Sequence, residues 1–347
     1  MCNLIEGRKI LVTGGLGFIG SHTIVELDKA NYEIVIIDNL SNSNKECLNR
    51  LEKLVKKPPK FYALDIRNYL DIDRIFCEND IYAVIHFAAL KAVNESISIP
   101  IEYYENNVAG TINLLKCMKK HQVKRIVFSG SASVYQEDND FPVTEDSKIG
   151  KGTNTYATSK YFCETMLSDL YRSDPEWSIV ILRYFNPVGA HESGTIGEDP
   201  SGVPKNIMPY ITQVVVGRLP IFQVFGNDYP TKDGTGVRDY VHVVDLSEAH
   251  VHAIGKLSSK TFEIYNIGTG RGTSVLEMIK TMEKVCGNSI PHKIVERRAG
   301  DIAELYCDST KMKSDFNWIP KKNLEDMCRD ALRWQKMNPK GYSDINC

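Results

Sequence analysis

Short apolar runs rich in β-branched residues alternate with stretches of helical periodicity through the first half of the chain. The runs are Lys9–Thr13, Glu33–Asp38, Lys60–Leu64, Ala83–Phe87, Arg125–Ser129 and Ser178–Arg183. Segments such as IVIID and AVIHF lack polar alternation, which is typical of parallel strands that helices cover on both faces. The pattern therefore predicts an α/β protein with a Rossmann-type, doubly wound parallel sheet.

A change in composition indicates a second, smaller domain, because glycine and proline become more frequent between Asn186 and Gly236. We expect a Rossmann domain over residues 1–185. Residues 186–347 should form mainly a smaller α/β ligand-binding domain, with part of the chain returning to the first domain. Predicted elements of this half are the helices Ser274–Cys286 and Leu324–Met337 and a strand near Ala303–Cys307.

Composition narrows the function classes. The 347 residues are 42% hydrophobic and 25% charged with a net charge of −2, as in an ordinary soluble enzyme, so nothing favours nucleic acid as a partner. The chain shows neither a secretory leader nor an uncharged apolar segment of ~18 residues. We therefore expect a cytoplasmic protein without membrane association.

The cysteines and histidines give no metal motif. The nine cysteines are odd in number, scattered and free of C-x-x-C spacing, which argues against a disulfide framework and a zinc site. His250 and His252 are two apart on a predicted helix and point to different sides, so they cannot readily share an ion with His242 and Asp245. The sequence predicts no metal site.

The strand KILVT leads directly into a glycine turn and then into a helical pattern. The glycines are Gly14, Gly17 and Gly20, with Phe18 and Ile19 at the start of the helix. Glycine lets the backbone approach a pyrophosphate, which the free N–H groups and positive dipole of the helix N-terminus then bind. Strand, turn and helix in this order predict a dinucleotide site.

The ends of the following strands add to this site. Asp38 closes the second strand, near the ~20-residue offset of an acid that binds the adenosine ribose. Its carboxylate would repel a 2′-phosphate and no arginine follows it, so we predict NAD as the cofactor in place of NADP. Residues just after the third and fourth strands should line the same cleft: Asp65, Ile66, Phe87, Ala88 and Ala89.

Tyr156 and Lys160 fall one helical turn apart if the segment Thr158–Tyr171 is a helix that reaches back to the tyrosine. The lysine ammonium would then stabilise the phenolate, so that the tyrosine can act as a base toward a sugar hydroxyl. Ser131, just beyond the fifth strand, can bind that hydroxyl or pass on its proton, although Ser129 and Ser133 compete for the role.

At these residues the chain resembles the extended short-chain dehydrogenase/reductase family, and within it the enzymes that epimerise UDP-sugars. Segments carrying the resemblance run through nearly the whole chain, among them TGGLGFIGSH, HFAALKAVNES, FSGSASVY, YATSK, LRYFNPVGAH and AGDIAELY. The resemblance implies Ser131, Tyr156 and Lys160 as the catalytic set, with Tyr156 and Lys160 also contacting the cofactor. It further implies NAD contacts at Asn39, Asn42, Ser43, Lys91, Asn106 and Tyr184.

For the substrate, the resemblance implies a UDP-sugar site at Lys91, Ser131, Tyr156, Asn186, Asn206, Ile207, Phe225, Arg238, Arg298, Asp301 and Leu305. Guanidinium groups give forked bonds to diphosphate oxygens, which suits the two arginines. The implied reaction is reversible C4 epimerisation of UDP-glucose and UDP-galactose through a 4-keto sugar, with the hydride held on tightly bound NAD. Leu305 is intermediate in size at a position that limits sugar bulk, so UDP-GlcNAc and UDP-GalNAc stay open as further substrates.

The resemblance also implies a homodimer through the helices Glu102–His121 and Thr158–Tyr171. The sequence offers two alternative functions. A nucleotide-sugar 4,6-dehydratase shares the tyrosine, lysine and NAD, but needs a carboxylate after the fifth strand, where this chain reads Ser131-Ala132-Ser133-Val134. A non-catalytic NAD-binding sensor protein would typically lack the tyrosine or the lysine.

Overall fold

A computed structural model describes residues 7–258, 260–298 and 300–343. Its contacts divide the chain into two compact units. Unit 1 comprises the chain up to Gln136, Lys148–Arg183 and Ser247–Tyr265, and unit 2 comprises Glu137–Ser147, Tyr184–Leu246 and the chain from Asn266 onward. The sequence placed the main boundary at residues 185/186, and the chain crosses between the units near there, at residues 183/184.

Unit 1 is built on a seven-stranded sheet in the order β10-β6-β5-β4-β1-β2-β3. Its strands are β1 (Lys9–Thr13), β2 (Glu33–Asp38), β3 (Lys60–Ala63), β4 (Ile81–His86), β5 (Arg125–Ser131), β6 (Ser178–Tyr184) and β10 (Thr261–Ile267). The pairs β1/β2, β1/β4, β2/β3 and β4/β5 are parallel. The predicted doubly wound α/β fold is therefore confirmed.

Helices follow the strands of unit 1. They are α1 (Phe18–Lys29), α2 (Glu46–Leu51), α3 (Tyr69–Glu78), α4 (Val93–Ser98), α5 (Pro100–Tyr103), α6 (Gly110–Lys120) and α7 (Thr155–Ser173). The helix predicted over Glu102–His121 is not uniform, because a π-helical segment, Tyr104–Ala109, separates α5 from α6. The apolar faces of α3, α6 and α7 join the sheet in one core that contains Leu114 and Trp177.

Unit 2 contains two small sheets. β9 (Val237–His242) pairs antiparallel with β11 (Gly272–Ser274) and parallel with β7 (Asn186–Val188) and β13 (Glu304–Leu305). β8 (Phe222–Phe225) and β12 (His292–Val295) form a parallel pair. The strand predicted near Ala303–Cys307 is thus confined to two residues.

The helices of unit 2 pack around a core that includes Met278 and Leu332. They are α8 (Ile207–Val215), α10 (Val275–Cys286), α11 (Thr310–Phe316) and α12 (Leu324–Met337), while α9 (Val243–Lys256) passes from unit 2 into unit 1. Capping boxes start α10 at Ser274 and α12 at Asn323, which explains why both helices begin where the sequence pattern begins. In the described part of the chain, no helix combines the length and apolar character needed to cross a membrane.

A neutral histidine lies at the end of β4, inside unit 1. The imidazole of His86 is 2.7 Å from Thr13 Oγ1 and 2.9 Å from Thr111 Oγ1, so one nitrogen donates and the other accepts. Burial, with a smaller contribution from the charge of Lys160, lowers the pKa of His86 to about 3. The folded protein therefore keeps this ring uncharged at pH values where an unfolded chain protonates it.

This histidine predicts acid sensitivity. The pKa of His86 in the folded protein lies below the ordinary value of 6.5, so the unfolded chain binds a proton at this residue more readily than the folded protein does. The free energy of unfolding is therefore unaffected by this residue above pH 6.5 and decreases as pH falls from 6.5 toward 3. Urea unfolding at pH 7 and pH 5 should show a smaller pH-dependent loss of unfolding free energy in His86→Asn than in the unmodified chain. Equal losses in the two proteins would mean that His86 does not titrate on unfolding.

Candidate active site

The carboxyl ends of five neighbouring strands form the edge on which the predicted residues of unit 1 meet. The strands are adjacent in the order β5-β4-β1-β2-β3, and their four pairings are parallel. Gly14 follows β1, Asp38 ends β2, Asp65 follows β3, Phe87 follows β4 and Ser131 ends β5. Residues far apart in sequence thus share the sheet edge where ligands of open α/β sheets bind.

The glycine turn fits a dinucleotide cradle. Gly14 has φ 68°, and a Cβ there would lie 2.7 Å from the backbone nitrogen of Ala88, so only glycine fits without strain. A Cβ on Gly20 would collide with the backbone oxygen of Gly14. Gly17 is the N-cap of α1 and offers no capping side chain, which leaves N–H groups of the first turn available to a phosphate.

Asp38, the predicted ribose-binding residue, also accepts hydrogen bonds from two neighbouring segments of the chain. Its carboxylate, 7% exposed, accepts hydrogen bonds from the backbone N–H of Leu16 at 3.0 Å and of Leu40 at 2.9 Å. The hydroxyl of Ser43 donates a third bond at 2.8 Å. Asp38 therefore ties the glycine turn to the loop after β2, in which the predicted contact Asn42 is exposed.

Asp65 is an ion-pair partner that the sequence did not connect to an arginine. Arg67 donates to both carboxylate oxygens, with Nε and Nη2 at 3.0 and 2.9 Å. These bonds lower the pKa of Asp65 to about 2. Asn39 donates to the same carboxylate at 3.0 Å, so two predicted cofactor residues are in direct contact.

The next residue, Ile66, packs closely against the backbone of α6. A Cβ on Gly110 would lie 2.6 Å from the Ile66 side chain, so glycine is what allows this contact.

The loop after β4 is held by a residue that the sequence analysis missed. The side chain of Asn107 accepts from Leu90 N at 2.8 Å and donates to Leu90 O and to Ser159 Oγ, both at 3.0 Å. Its neighbour Asn106, a predicted cofactor residue, donates to the Asn107 side chain at 2.9 Å. The feature that reveals this role is the burial of Asn107 in the π-helical segment, and burial of a single asparagine is visible only in the folded chain.

Loop residues 87–91 occupy the same sheet edge. Ala88 N lies 3.3 Å from the Thr13 hydroxyl, and the ring of Phe87 packs on that of His250 at a centroid distance of 4.8 Å. Ala89 is partly buried, whereas Lys91 is exposed. Phe18 and Ile19, in the first turn of α1, are also partly buried.

Lys160 is a buried cation at the end of β5. It is 4% exposed, and its Nζ donates to the backbone oxygen of Ser129 at 2.7 Å. The ammonium also lies 4.9 Å from the ring centroid of Phe128. Ser131 Oγ is 2.8 Å from Ser133 Oγ, so two of the three candidate serines are coupled, while Ser129 contributes its carbonyl.

Tyr156 and Lys160 share one face of α7, one turn apart. The helix starts at Thr155, three residues earlier than expected, because the side chain of Asn154 caps it by accepting from Ala157 N at 2.9 Å. Tyr156 therefore belongs to the first turn of the helix and is partly buried. A rigid element, rather than a loop, positions both groups.

A buried ion pair continues this helix face one turn further. Glu164 and Arg183 are 4% and 1% exposed, and Arg183 Nη2 donates to Glu164 Oε2 at 2.9 Å. Arg183 Nη1 also donates to the hydroxyl of Tyr135 at 3.0 Å. Burial raises the pKa of Glu164, and the charge of Arg183 opposes that effect. A Cβ on Gly130 would lie 3.1 Å from Glu164 Oε1, so this glycine makes room for the carboxylate.

Unit 2 contains a cleft of about 230 Å³ that collects most of the predicted substrate residues. These are Asn186, Asn206, Ile207, Phe225, Arg238, Arg298 and Asp301. The sequence analysis missed further lining residues, namely Lys205, Gln223, Tyr229 and Tyr240. Tyr240 follows Arg238 by two on β9, so both side chains lie on one face of that strand.

The cleft has an excess of positive charge, with Lys205, Arg238 and Arg298 against the carboxylate of Asp301. Asp301 pairs with Arg298, whose Nε and Nη2 lie 3.1 and 3.3 Å from its two oxygens. The Arg298 guanidinium lies 5.1 Å from the ring centroid of Phe225. This arrangement offers forked donors and an aromatic surface, which suits a nucleotide diphosphate.

Two predicted residues of unit 2 are not among the described residues that line this cleft. Leu305, on β13, is in register with Arg238 but is not among the described residues that line the cleft. Tyr184 is buried at the end of β6. The histidine group considered in the sequence takes other partners: His242 Nε2 lies 3.3 Å from Asp330, and Asp245 accepts from Lys322 N at 3.0 Å.

The buried ion pair predicts a large stability loss on neutralisation. Glu164→Gln leaves the Arg183 guanidinium buried without its counter-charge, which costs about 3–5 kcal/mol of unfolding free energy. Asp169→Asn is a matched control on the same helix, because its partner Arg172 and Asp169 itself are both exposed, and this change should cost at most about 1 kcal/mol. Denaturant unfolding followed by circular dichroism measures both. Similar losses would contradict the assigned role of the buried pair.

Comparison with known proteins identifies the family of this chain. Residues 11–331 match the family described as GDP-mannose 4,6 dehydratase. The UDP-glucose 4-epimerase of Bacillus subtilis is 55% identical over 334 residues, covering 96% of this chain and 98% of that protein. The UDP-glucose 4-epimerase of Dictyostelium discoideum is 52% identical over 97% of this chain and 98% of its own length.

Among solved structures, the UDP-glucose 4-epimerase of Bifidobacterium longum in complex with NAD+ and UDP superposes with a TM-score of 0.94. It is 50% identical and covers 96% of this chain and all of its own, 100%. The chain therefore belongs to the UDP-glucose 4-epimerases of the extended short-chain dehydrogenase/reductase family.

Proposed function

We propose that this chain interconverts UDP-glucose and UDP-galactose by reversible epimerisation at C4. The observation that carries the proposal is the placement of Lys160 and Tyr156 one turn apart on α7, with the lysine buried and bonded to the carbonyl of Ser129 in β5, the strand that ends at Ser131. That edge also carries the glycine turn after β1. A proton-transfer group and a dinucleotide cradle on one sheet edge suit the oxidation of a hydroxyl.

NAD is the cofactor that these residues fit. The turn at Gly14, Gly17 and Gly20 has no room for a Cβ at Gly14, and Asp38 offers a carboxylate to the adenosine ribose. Bound by these residues, NAD would supply reversible hydride transfer at C4 of the hexose. The related enzyme of Bifidobacterium longum was crystallised with NAD+ and UDP.

Side chains of unit 1 transfer the proton of the sugar hydroxyl in this proposal. Tyr156 takes the proton from the sugar O4, and Lys160 stabilises the phenolate that makes this possible. Ser131 holds O4 by a hydrogen bond, with Ser133 supporting its hydroxyl at 2.8 Å. After the 4-keto sugar has rotated so that the opposite face of C4 is turned toward the cofactor site, Tyr156 returns the proton to O4. The sugar leaves with C4 inverted and no net oxidation.

Unit 2 supplies the nucleotide-binding groups. We assign the diphosphate to Arg238 and Arg298, with Lys205 adding a third positive charge to the cleft. Asn186 and Asn206 add amide groups that can bind the nucleotide sugar, and Phe225 adds an aromatic surface. Acceptance of UDP-GlcNAc or UDP-GalNAc, and the part that Leu305 plays in it, remains a prediction.

The two other functions receive less support. Dehydration needs a carboxyl donor after β5, and Ser131-Ala132-Ser133-Val134 offers none. A sensor protein would need neither the buried lysine nor the tyrosine. We place the enzyme in the cytoplasm, where the free thiols of the described cysteines would stay reduced.

We further propose that the enzyme is a homodimer. Unit 1 exposes large apolar side chains on α4, α5 and α7: Val93, Ile97, Ile101 and Phe162. Ile101 is 76% exposed, and the ring of Phe162 stacks on Tyr104 at 6.0 Å. These helices contact one another within unit 1, and we assign their exposed apolar side chains to one face that a second copy covers.

Replacement of the catalytic tyrosine tests the reaction. Purified Tyr156→Phe should convert UDP-galactose at a rate reduced ~10²-fold or more, since the variant lacks the hydroxyl that transfers the proton. Tyr171→Phe on the same helix is the control and should keep the unmodified rate. Bound NAD, measured after denaturation, should be equal in all three proteins.

Product mass separates the alternatives in the same assay. Epimerisation leaves the mass of the UDP-hexose unchanged, whereas a dehydratase product has lost one water. A product of lower mass would replace the epimerase proposal with the dehydratase, and bound NAD without turnover of either sugar would favour the sensor. Full activity in Tyr156→Phe would remove the tyrosine from the mechanism.

Charge on the apolar face tests the dimer. Phe162→Asp should shift the sedimentation behaviour from dimer to monomer, because association would bury the new carboxylate. Leu70→Asp is a matched control, since Leu70 is 75% exposed on α3, outside the proposed face. Sedimentation velocity of the unmodified chain as a monomer would contradict the proposal.

A further inference from the structure

Three potential metal ligands meet between α3 and the end of α6, away from the glycine turn and the catalytic helix. They are Asp73, Cys77 and His121, and their ligand atoms all lie within 4.8 Å of one another. None of them belongs to the predicted cofactor or substrate residues. We propose that these side chains bind one zinc ion, which links α3 to the end of α6.

The backbone places the three donors on one side. Asp73 and Cys77 are four residues apart on α3, so they lie one above the other on the same helix face. His121 is the C-cap of α6, which packs against α3. The ligands thus come from two elements that the core already holds together, and little ordering is needed when an ion binds.

The distances are close to those of a tetrahedral zinc site. His121 Nε2 lies 2.7 Å from Asp73 Oδ1 and 4.0 Å from Cys77 Sγ. Donor atoms around zinc are ~3.3–3.7 Å apart, given zinc bonds of ~2.0–2.3 Å to nitrogen, oxygen and sulfur. Both of these distances need to change by about 1 Å or less, and the ligand atoms of Asp73 and Cys77 lie within 4.8 Å of each other. The ion would replace the direct bond between His121 and Asp73.

Neighbouring side chains orient two of the ligands. The imidazole of His121 stacks on the ring of Phe76 at a centroid distance of 5.6 Å and an interplanar angle of 18°. Lys120 Nζ donates to Asp73 Oδ2 at 2.8 Å, which leaves Oδ1 directed toward His121. The bonds from Lys120 and His121 hold the pKa of Asp73 below its ordinary value, so the carboxylate is ionised. Such outer partners are typical of protein metal sites.

The donor set selects the kind of ion. Thiolate, imidazole and carboxylate together suit zinc and related transition metals, whereas Ca²⁺ and Mg²⁺ prefer oxygen ligands alone. Cys77 is exposed, so an ion can enter from solvent and a water can complete the coordination. The positive charge of Lys120 weakens binding, and we therefore expect a moderate affinity in place of the very high affinity of a four-cysteine site.

Cobalt and zinc titrations of the full chain test the site. Protein freed of metal with a chelator should bind one equivalent of Co²⁺ and develop a thiolate-to-cobalt charge-transfer band, and Zn²⁺ should displace the cobalt. Cys77→Ser should abolish the band, and Asp73→Asn and His121→Gln should each weaken zinc binding at least tenfold. Cys286→Ser, which alters a partly buried thiol of unit 2, is the control and should change neither result.

Thermal unfolding provides a second readout that does not depend on the spectrum. Zinc should raise the unfolding temperature of the unmodified chain and of Cys286→Ser, but not of Cys77→Ser, because only a folded site binds the ion. A charge-transfer band that persists in Cys77→Ser, or zinc binding that the three substitutions leave unchanged, would overturn the proposal. The proposal does not rest on the epimerase activity, since none of its residues acts in that reaction.

Discussion

The buried ammonium of Lys160 donates a hydrogen bond to the backbone oxygen of Ser129, and this interaction joins helix α7 to the carboxyl end of β5. A cation in a region of low dielectric must be compensated by groups that cannot easily move. The carbonyl at the end of β5 and the ring of Phe128 provide part of that compensation. Burial keeps the nearby imidazole of His86 neutral by lowering its pKa, and the charge of Lys160 adds a smaller effect in the same direction.

The same constraint explains the ion pair one turn further along α7. Glu164 contributes a carboxylate on the face of Lys160, and Arg183 balances it while also holding the hydroxyl of Tyr135. The helix, the strand and the segment after β5 are therefore joined by charged hydrogen bonds. In the proposed mechanism, a lysine fixed in this way acts on Tyr156 without a rearrangement of its own surroundings, which is the benefit of a preorganised site.

The electrostatic requirement in unit 2 is different, because the proposed function assigns a doubly charged diphosphate to its cleft. Cationic side chains outnumber the carboxylates that line it, and Asp301 orients Arg298 instead of cancelling the whole charge. The overall charge of −2 gives no hint of this local excess. Binding of an anion here depends on the arrangement of a few residues and not on the composition of the protein.

The sequence by itself determined the sheet, the glycine turn, Asp38 and the pairing of Tyr156 with Lys160, because each depends on periodicity or on a short spacing along the chain. Helix α12 was predicted to its boundaries for the same reason, since a capping box marks its start. The tertiary structure decided what depends on side chains far apart in sequence. One example is Asn107, which binds the backbone of Leu90 in the loop after β4. The contact of Arg67 with Asp65, in contrast, joins residues only two apart and could follow from local spacing. Likewise, no spacing rule connects Cys77 with His121, which only the packing of α6 on α3 brings together. The burial of an individual polar side chain and its long-range contacts have no signature in a single sequence, and in this protein they shift the pKa values of His86 and Glu164.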